Sequence, residues 1–516
     1  MRDDGTRRRT TGLVAAAALA VTVALAAFQG GLGARTESGQ AQAQAPATSG
    51  TATATSRPSA PTGPVPADWT TLDPRPVREP DLTLAQDQPV EDPSYPHLSN
   101  PEVDALRYQL RLDWDGTRLQ GRTTLTLRVA HDTDTLRLDL ARPLTVTAVT
   151  LDGAATPVTR DGDGLVLRRP GLRAGSRHTV VVSYAGTPTT VPPPTHRGDD
   201  LGGLGWGYDD AHHVSTFQEP YGAFTWYPVN DHPSDKAFYD AVITAPPGQV
   251  GVFNGRLVGR SDDGGRTTTR WHLDAPASSY LTTVAIGPYR QHVQTYPRGV
   301  VASVWTLPED ESSVAALQQS LRRAYDWLEE RVGPYPFSTT GMVVTAGQSA
   351  METQTLITMG RGPVLWQRDA VTAHELAHQW FGDLVTTRDW RHTWLNEGWA
   401  TYWQRRYEGR APADLSQDAQ LVEGCRQAVA QAGQAGNPRP DHFASSNIYA
   451  CPALMLDEIR RTVGDAAFAG IAREWPQQHR YATVTRADFE DFVQRRTGRD
   501  VRDITARWLD RVSPAG

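Results

Sequence analysis

The chain has 516 residues, 39% of them apolar, a size and make-up that allow two or three globular domains and exclude both wholesale disorder and a multi-span membrane protein. Its formal net charge of -7, from 51 basic and 58 acidic residues, lacks the basic excess that a nucleic acid backbone attracts, so no nucleic acid partner is expected. Two cysteines, Cys425 and Cys451, are too few for a disulfide framework or a cysteine-built metal site, which leaves one bridge or two buried thiols open.

At the N-terminus, Arg7, Arg8 and Arg9 precede an apolar stretch over 13–28, and Ala41-Gln42-Ala43 offers a small-x-small cleavage site. Residues 1–43 read as an export signal. The apolar stretch falls short of the roughly 20 residues that a spanning helix needs, so cleavage and a secreted product are expected. Retention as a cell-surface membrane tether is the alternative. Residues 44–97 are rich in Ala, Thr, Ser, Gln and Pro without a hydrophobic period, which predicts a disordered linker.

From Tyr108 the pattern turns to strict alternation. Leu110, Leu112 and Trp114 share one face, and the same period recurs at Leu125, Leu127 and Val129 and at Leu136, Leu138 and Leu140. Period two predicts half-buried strands, and Asp-Gly and Gly-Gly turn signals separate them, so 98–297 is expected to be an antiparallel β domain. Beyond 298 the period lengthens: Val314, Leu317, Leu321, Tyr325 and Leu328 mark an amphipathic helix over 313–332, and helix dominates to the end of a second domain, 298–516. Thr485 and Asp488 have the spacing of a capping box at the start of a late helix, and Ile504, Trp508 and Leu509 form the apolar face of the last one.

The informative stretch runs from Asp369 to Gly382. Asp369 suits an N-cap and Gly382 a helix stop, which predicts one helix of about three turns. Within it His374 and His378 stand four apart on one face with Glu375 beside them, a spacing that lets both imidazoles reach one metal ion. Glu397 follows after 18 intervening residues, a gap that fits a helix end, a loop and the first turn of a second helix. Two imidazoles and one carboxylate leave the fourth position of a tetrahedral zinc site for water, as catalysis requires.

This pattern, with Glu397 inside Asn396-Glu397-Gly398, resembles the gluzincin metallopeptidases and specifically the aminopeptidase N family. The likeness extends to Gly333-Pro334-Tyr335-Pro336-Phe337 and to Ser349-Ala350-Met351-Glu352-Thr353, which is similar to the family's Gly-Ala-Met-Glu-Asn exopeptidase motif with its first and last positions changed. Tyr449 falls where the family carries a catalytic tyrosine, although the usual following Lys-Gly is Cys451-Pro452 here. The resemblance spans about 100–512, weakly in the β domain and specifically in the catalytic one, and the chain ends soon after the catalytic helices, so a short form with a more open cleft is expected.

The resemblance implies an α+β fold in which the N-terminal β domain precedes a thermolysin-like, mainly helical zinc peptidase domain. It implies one zinc ion per chain, held by His374, His378 and Glu397, with Glu375 as general base and Tyr449 as a donor to the oxyanion. Glu352 is expected to hold the free ammonium group of a peptide substrate, flanked by Ala350 and Met351. Glu219, in Phe217-Gln218-Glu219-Pro220, offers a second carboxylate, and Gln218 is expected to line the first side-chain pocket. Lys236 is read as a structural ion-pair partner. The expected activity is that of a secreted zinc aminopeptidase acting on peptides with a free N-terminus. The alternatives are a zinc endopeptidase on the same scaffold and a zinc-bearing binding module without catalysis.

Overall fold

The computed structural model describes residues 71–98, 100–195, 202–361, 367–409 and 411–514. The expected export signal and the first part of the expected linker, 44–70, lie outside the described residues. Residues 71–97 depart from the linker reading, because they form an ordered strap across both domains. Asp73 meets the buried Arg256 at 3.3 Å, Asp87 accepts from the Thr483 hydroxyl at 3.0 Å, Asp92 accepts from the Trp390 amide at 2.9 Å, and the Tyr95 hydroxyl reaches the Pro440 carbonyl at 2.8 Å. These are polar side chains fixed by partners more than 180 residues away, so they leave no hydrophobic period to read.

Among the described residues, two large hydrophobic cores organise the rest, with a small third cluster of Ala85, Leu106 and Phe238. The alternating residues of the N-terminal half point inward as predicted: Leu110, Leu112 and Trp114 on the strand Val103–Trp114 are at most 2% exposed. The expectation of a wholly antiparallel domain needs correction. The main sheet, eight-stranded among the described residues, is mixed, since Val103–Trp114 pairs in parallel with Lys236–Ala245, with Arg107 opposite Phe238. More than 100 residues separate those two strands, enough chain for the crossover that a parallel pair demands.

The boundary at 298 also shifts. Arg290–Thr295 and Val301–Thr306 form a hairpin that straddles it, and this hairpin already belongs to the sheet of the C-terminal half. That sheet runs in the spatial order Arg290–Thr295, Val301–Thr306, Thr339–Thr345, Ile357–Gly360, Ala350–Met351, with the last strand at an open edge.

Helices α1 (Val314–Val332), α2 (Arg368–His378), α3 (Trp394–Tyr407), α4 (Ala419–Ala432), α5 (Ser446–Val463), α6 (Asp465–Gln478), α7 (Arg486–Thr497) and α8 (Arg502–Asp510) complete the domain. Leu317, Leu321, Tyr325 and Leu328 of α1 are fully buried, as their spacing predicts. The capping box at α7 forms, with Thr485 and Asp488 bonding each other's backbone amides. No helix among the described residues is long and apolar enough to cross a membrane.

Candidate active site

The central helix is α2, whose residues from Val371 to His378 are all buried. It begins two residues earlier than predicted, with Gln367 at the N-cap position, and ends at His378. Asp369 is therefore no N-cap; it lies in the first turn and pairs with Arg323 of α1 at 2.6 Å. Gly382 stops the chain's path four residues later, at φ +140°, where a Cβ would stand 3.2 Å from His378 Nδ1. Only glycine suits both the backbone angle and the closeness of that ring.

The turn after α2 is held from the other domain. Lys236, the chain's single lysine, is fully buried and donates from Nζ to the carbonyls of Asp383 (2.7 Å) and Leu384 (3.2 Å) and to the Thr386 hydroxyl (2.8 Å). It therefore fixes backbone carbonyls more directly than it pairs with a carboxylate. Burial lowers its ammonium to about 8, against the opposing pull of Asp87 and Asp383.

On the inner face of α2, His374 Nε2 and His378 Nε2 lie 3.2 Å and 3.4 Å from the same oxygen of Glu397 on α3. Tetrahedral zinc with bonds near 2.0–2.1 Å sets its ligand atoms about 3.3 Å apart, so the donor set fits that ion. Each ring is aimed from behind. His374 Nδ1 donates to Gln404 Oε1 at 3.0 Å and His378 Nδ1 to the Phe381 carbonyl at 3.1 Å, which turns both Nε2 lone pairs toward the ion's position. Burial disfavours the charge of Glu397, but the two histidines override it and hold its carboxyl down at about 2. One carboxylate oxygen and two imidazole nitrogens thus converge on one point, a donor set that a zinc ion accepts.

Three overlapping groups of ligand atoms, each within 4.8 Å, tie the remaining carboxylates to this centre: His374 with His378 and Glu397, Glu352 with Glu375 and His378, and Glu219 with Glu352 and Glu397. The structure thus brings Glu219, Glu352 and Glu375 together although they come from a loop of the β domain, the end of an edge strand and the metal helix. Met351, fully buried, and Ala350, half-buried, form that edge strand, pairing with Thr358 and Met359.

Tyr449 sits in the first turn of α5 with its ring stacked 6.1 Å from that of His374. Its place depends on a close helix crossing, because a Cβ on Gly398 of α3 would meet Pro452 of α5 at 2.6 Å. Cys451 is bridged to Cys425 of α4, which settles the open question of the thiols and anchors α5 two residues beyond Tyr449. Cys451 and Pro452, the departures from the family pattern, are the residues that pack and tether this turn.

Gln218 does not line a pocket. It is fully buried, its Nε2 donates to the Ser279 and Thr282 carbonyls at 2.8 Å each, and its Oε1 accepts from Trp226 Nε1 at 2.9 Å. Both ends of the amide are committed to the loop beneath Glu219. Sequence reasoning also missed Gln379, Gln404 and Asn396, whose Nδ2 donates to the buried Tyr280 hydroxyl at 3.2 Å. Adjacency to His378 and Glu397 was the available signal for Gln379 and Asn396, and the seven-residue step from Glu397, two helical turns on one face, for Gln404.

Residues 318–508 match the peptidase family M1 domain. An aminopeptidase N of Streptomyces lividans is 24% identical over 439 residues, 78% of this chain and 50% of the relative. A leucine aminopeptidase 2-2 of Meyerozyma guilliermondii is 34% identical over 193 residues, 36% of this chain and 28% of the relative. The chain spans half or less of the length of these curated relatives. It does cover 99% of a crystal structure of an M1 zinc metallopeptidase from Deinococcus radiodurans, with a TM-score of 0.70, 26% identity and 83% of this chain aligned.

Proposed function

We propose that this chain, a member of the aminopeptidase N-type gluzincin family, is an exported zinc aminopeptidase that removes single residues from peptides with a free N-terminus. The observation that carries the reading is the convergence of Glu219 and Glu352 on the metal triad, with ligand atoms of Glu219, Glu352 and Glu397 within 4.8 Å. Carboxylates gathered beside a metal position present negative charge to an approaching substrate, and the ammonium group of a peptide N-terminus is the cation that matches it.

Bound by His374, His378 and Glu397, a zinc ion supplies Lewis acidity that acidifies water and polarises a carbonyl. Glu352 and Glu219 fix the substrate's first residue by its amine, which sets the first peptide bond, and no later one, beside the centre. The open edge strand Ala350–Met351 offers main-chain groups along which an extended peptide can lie. Glu375, next to His374, takes a proton from the attacking water and delivers it to the departing amine. The Tyr449 hydroxyl, carried on a ring stacked against His374, donates to the oxygen on which negative charge develops. Gln404 and the Phe381 carbonyl keep both imidazoles in the tautomer that leaves Nε2 free to bind metal.

The basic and apolar N-terminal segment supports export, with residues 1–43 as the signal. The test of the activity is a panel of aminoacyl anilides assayed with zinc and after chelation, beside N-acetylated counterparts. Cleavage of the free-amine forms that stops on chelation supports the reading. Equal cleavage of the acetylated forms would establish an endopeptidase instead.

A further inference from the structure

From the strap we infer two positioning residues for the reaction. Asp92 and Tyr95, at the two ends of one tight turn, set where Tyr449 stands relative to Glu397, and they act through the loops that lead into α5 and α3. The inference rests on the aminopeptidase reading above and deepens it, giving a role to a segment that lies outside the matched family domain.

Asp92 is 1% exposed. Its Oδ1 accepts from the Ser94 amide at 2.7 Å and the Tyr95 amide at 3.1 Å, which closes the turn, and its Oδ2 accepts from the Trp390 amide at 2.9 Å. Trp390 opens a 3-10 turn, Trp390–His392, that runs through Thr393 directly into α3, where the Glu397 amide donates to the Thr393 carbonyl at 3.0 Å. The chain from Trp390 to Glu397 is helical throughout, so a shift of the first is passed to the second.

Tyr95 holds the other lead-in. Its hydroxyl donates at 2.8 Å to the carbonyl of Pro440, the first residue of the 3-10 turn Pro440–His442 ahead of α5. Ala444 then takes φ +59°, a left-handed conformation that costs a residue other than glycine roughly 1–3 kcal/mol, so the surroundings and not local preference hold this loop. A row of buried rings supplies the hold: Tyr95 meets Phe443 edge-on at 6.4 Å, Phe443 meets Trp390 at 5.2 Å, and Trp390 meets Tyr280 of the β domain at 4.9 Å. Edge-on contacts fix orientation as well as distance. Tyr449 follows Phe443 by six residues, and the Cys425–Cys451 bridge holds the chain on its far side.

The turn at 92–95 therefore ties the lead-ins of α3 and α5 to each other, Asp92 gripping one and Tyr95 the other. A hydroxyl that donates to charge developing during the reaction must be placed closely, since a misplacement of about 1 Å can cost on the order of 10²-fold in rate. Loss of that placement lowers kcat and leaves KM, because the interaction is made in the transition state and not with bound substrate.

The experiment measures kcat and KM for leucyl anilide, and zinc retention against a chromophoric chelator, in the wild-type chain, Tyr95→Phe, Tyr449→Phe, their double variant and Asp92→Asn. Tyr95→Phe keeps the ring and removes the bond to Pro440; kcat should fall ~10-fold with KM and zinc retention unchanged. In the Tyr449→Phe background the same change should cost less than about two-fold, because the hydroxyl that it positions is gone. Asp92→Asn offers one acceptor oxygen in place of two and cannot grip the turn and Trp390 together, so zinc should be lost at ~10-fold lower chelator concentration. Equal fold-losses from Tyr95→Phe with and without the Tyr449 hydroxyl, an unchanged kcat in Tyr95→Phe, or wild-type zinc retention in Asp92→Asn would show a turn that only stabilises the fold, overturning the positioning role and leaving the aminopeptidase reading intact. Should Asp92→Asn fail to fold, the comparison of Tyr95→Phe in the two backgrounds decides alone. A wild-type chain that cleaves no free-amine anilide would overturn both.

Discussion

The side-chain amide of Gln379 ties the metal helix to the strand end that carries Glu352. Its Nε2 donates to the Glu352 carbonyl at 3.1 Å, while its Oε1 accepts from the Thr355 amide at 2.8 Å and the Tyr335 hydroxyl at 3.1 Å. Gln379 directly follows His378, so one residue step separates the proposed metal ligand from the amide that places the carboxylate opposite it. Gln379→Met keeps the bulk and removes these bonds. We expect KM for free-amine substrates to rise about 10-fold with a smaller change in kcat and full zinc content, at a stability cost of roughly 1–3 kcal/mol for the buried groups left unbonded. Steady-state kinetics beside metal analysis checks this, and an unchanged KM would count against the tie.

Glu375→Gln conserves shape and removes the proposed base. Turnover should fall by about 10²–10⁴-fold, the range that general acid-base catalysis supplies, while zinc binding and the thermal midpoint stay near wild type. Loss of metal along with activity would mean that Glu375 supports the site structurally.

Gln404→Ala leaves the His374 ring without the acceptor that orients it. Outer-sphere partners of metal-bound histidines are typically worth 10–100-fold in metal affinity, so zinc should be lost to a competing chelator at correspondingly lower concentration. A titration with a chromophoric chelator reads this without any assay of activity.

The Cys425–Cys451 bridge closes 26 residues and joins α4 to α5. A loop of that length is worth roughly 3 kcal/mol by chain entropy, so Cys425→Ser with Cys451→Ser should lower the thermal midpoint by several degrees. Because Tyr449 rides two residues ahead of Cys451, kcat should fall as well. Full activity in the folded double mutant would show that Gly398 and Pro452 suffice to place the tyrosine.

A histidine between two carboxylates gives stability a pH dependence. Burial disfavours charge on His272, but its hydrogen bonds to Asp240 (2.7 Å) and contact with Asp274 (3.3 Å) outweigh this and lift it to about 9. A raised folded value means that the contribution is fully present below the unfolded value of about 6.5 and is lost as pH rises through about 9. Urea midpoints should decline across that window, and His272→Asn should flatten the decline. A wild-type midpoint that stays level from pH 6.5 to 9.5 would contradict it.

The amino-acid sequence alone determined the strands with period two, the amphipathic α1, the capped start of α7 and the spacing of the three candidate metal ligands. These signals are local or come from fixed spacings: one turn of helix carries His374 and His378, and 18 residues reach Glu397. Tertiary structure decided what depends on distant segments meeting. It ran Val103–Trp114 parallel to a strand more than 100 residues away, turned 71–97 into a strap, closed Cys425 on Cys451, committed Gln218 to Ser279 and Thr282, and set Glu219 beside Glu352. Periodicity reports which face of an element is buried, and it carries no record of which other element covers that face. The carboxylates gathered beside the histidine pair come from separate parts of the chain, so only the packing of the two domains could assemble them.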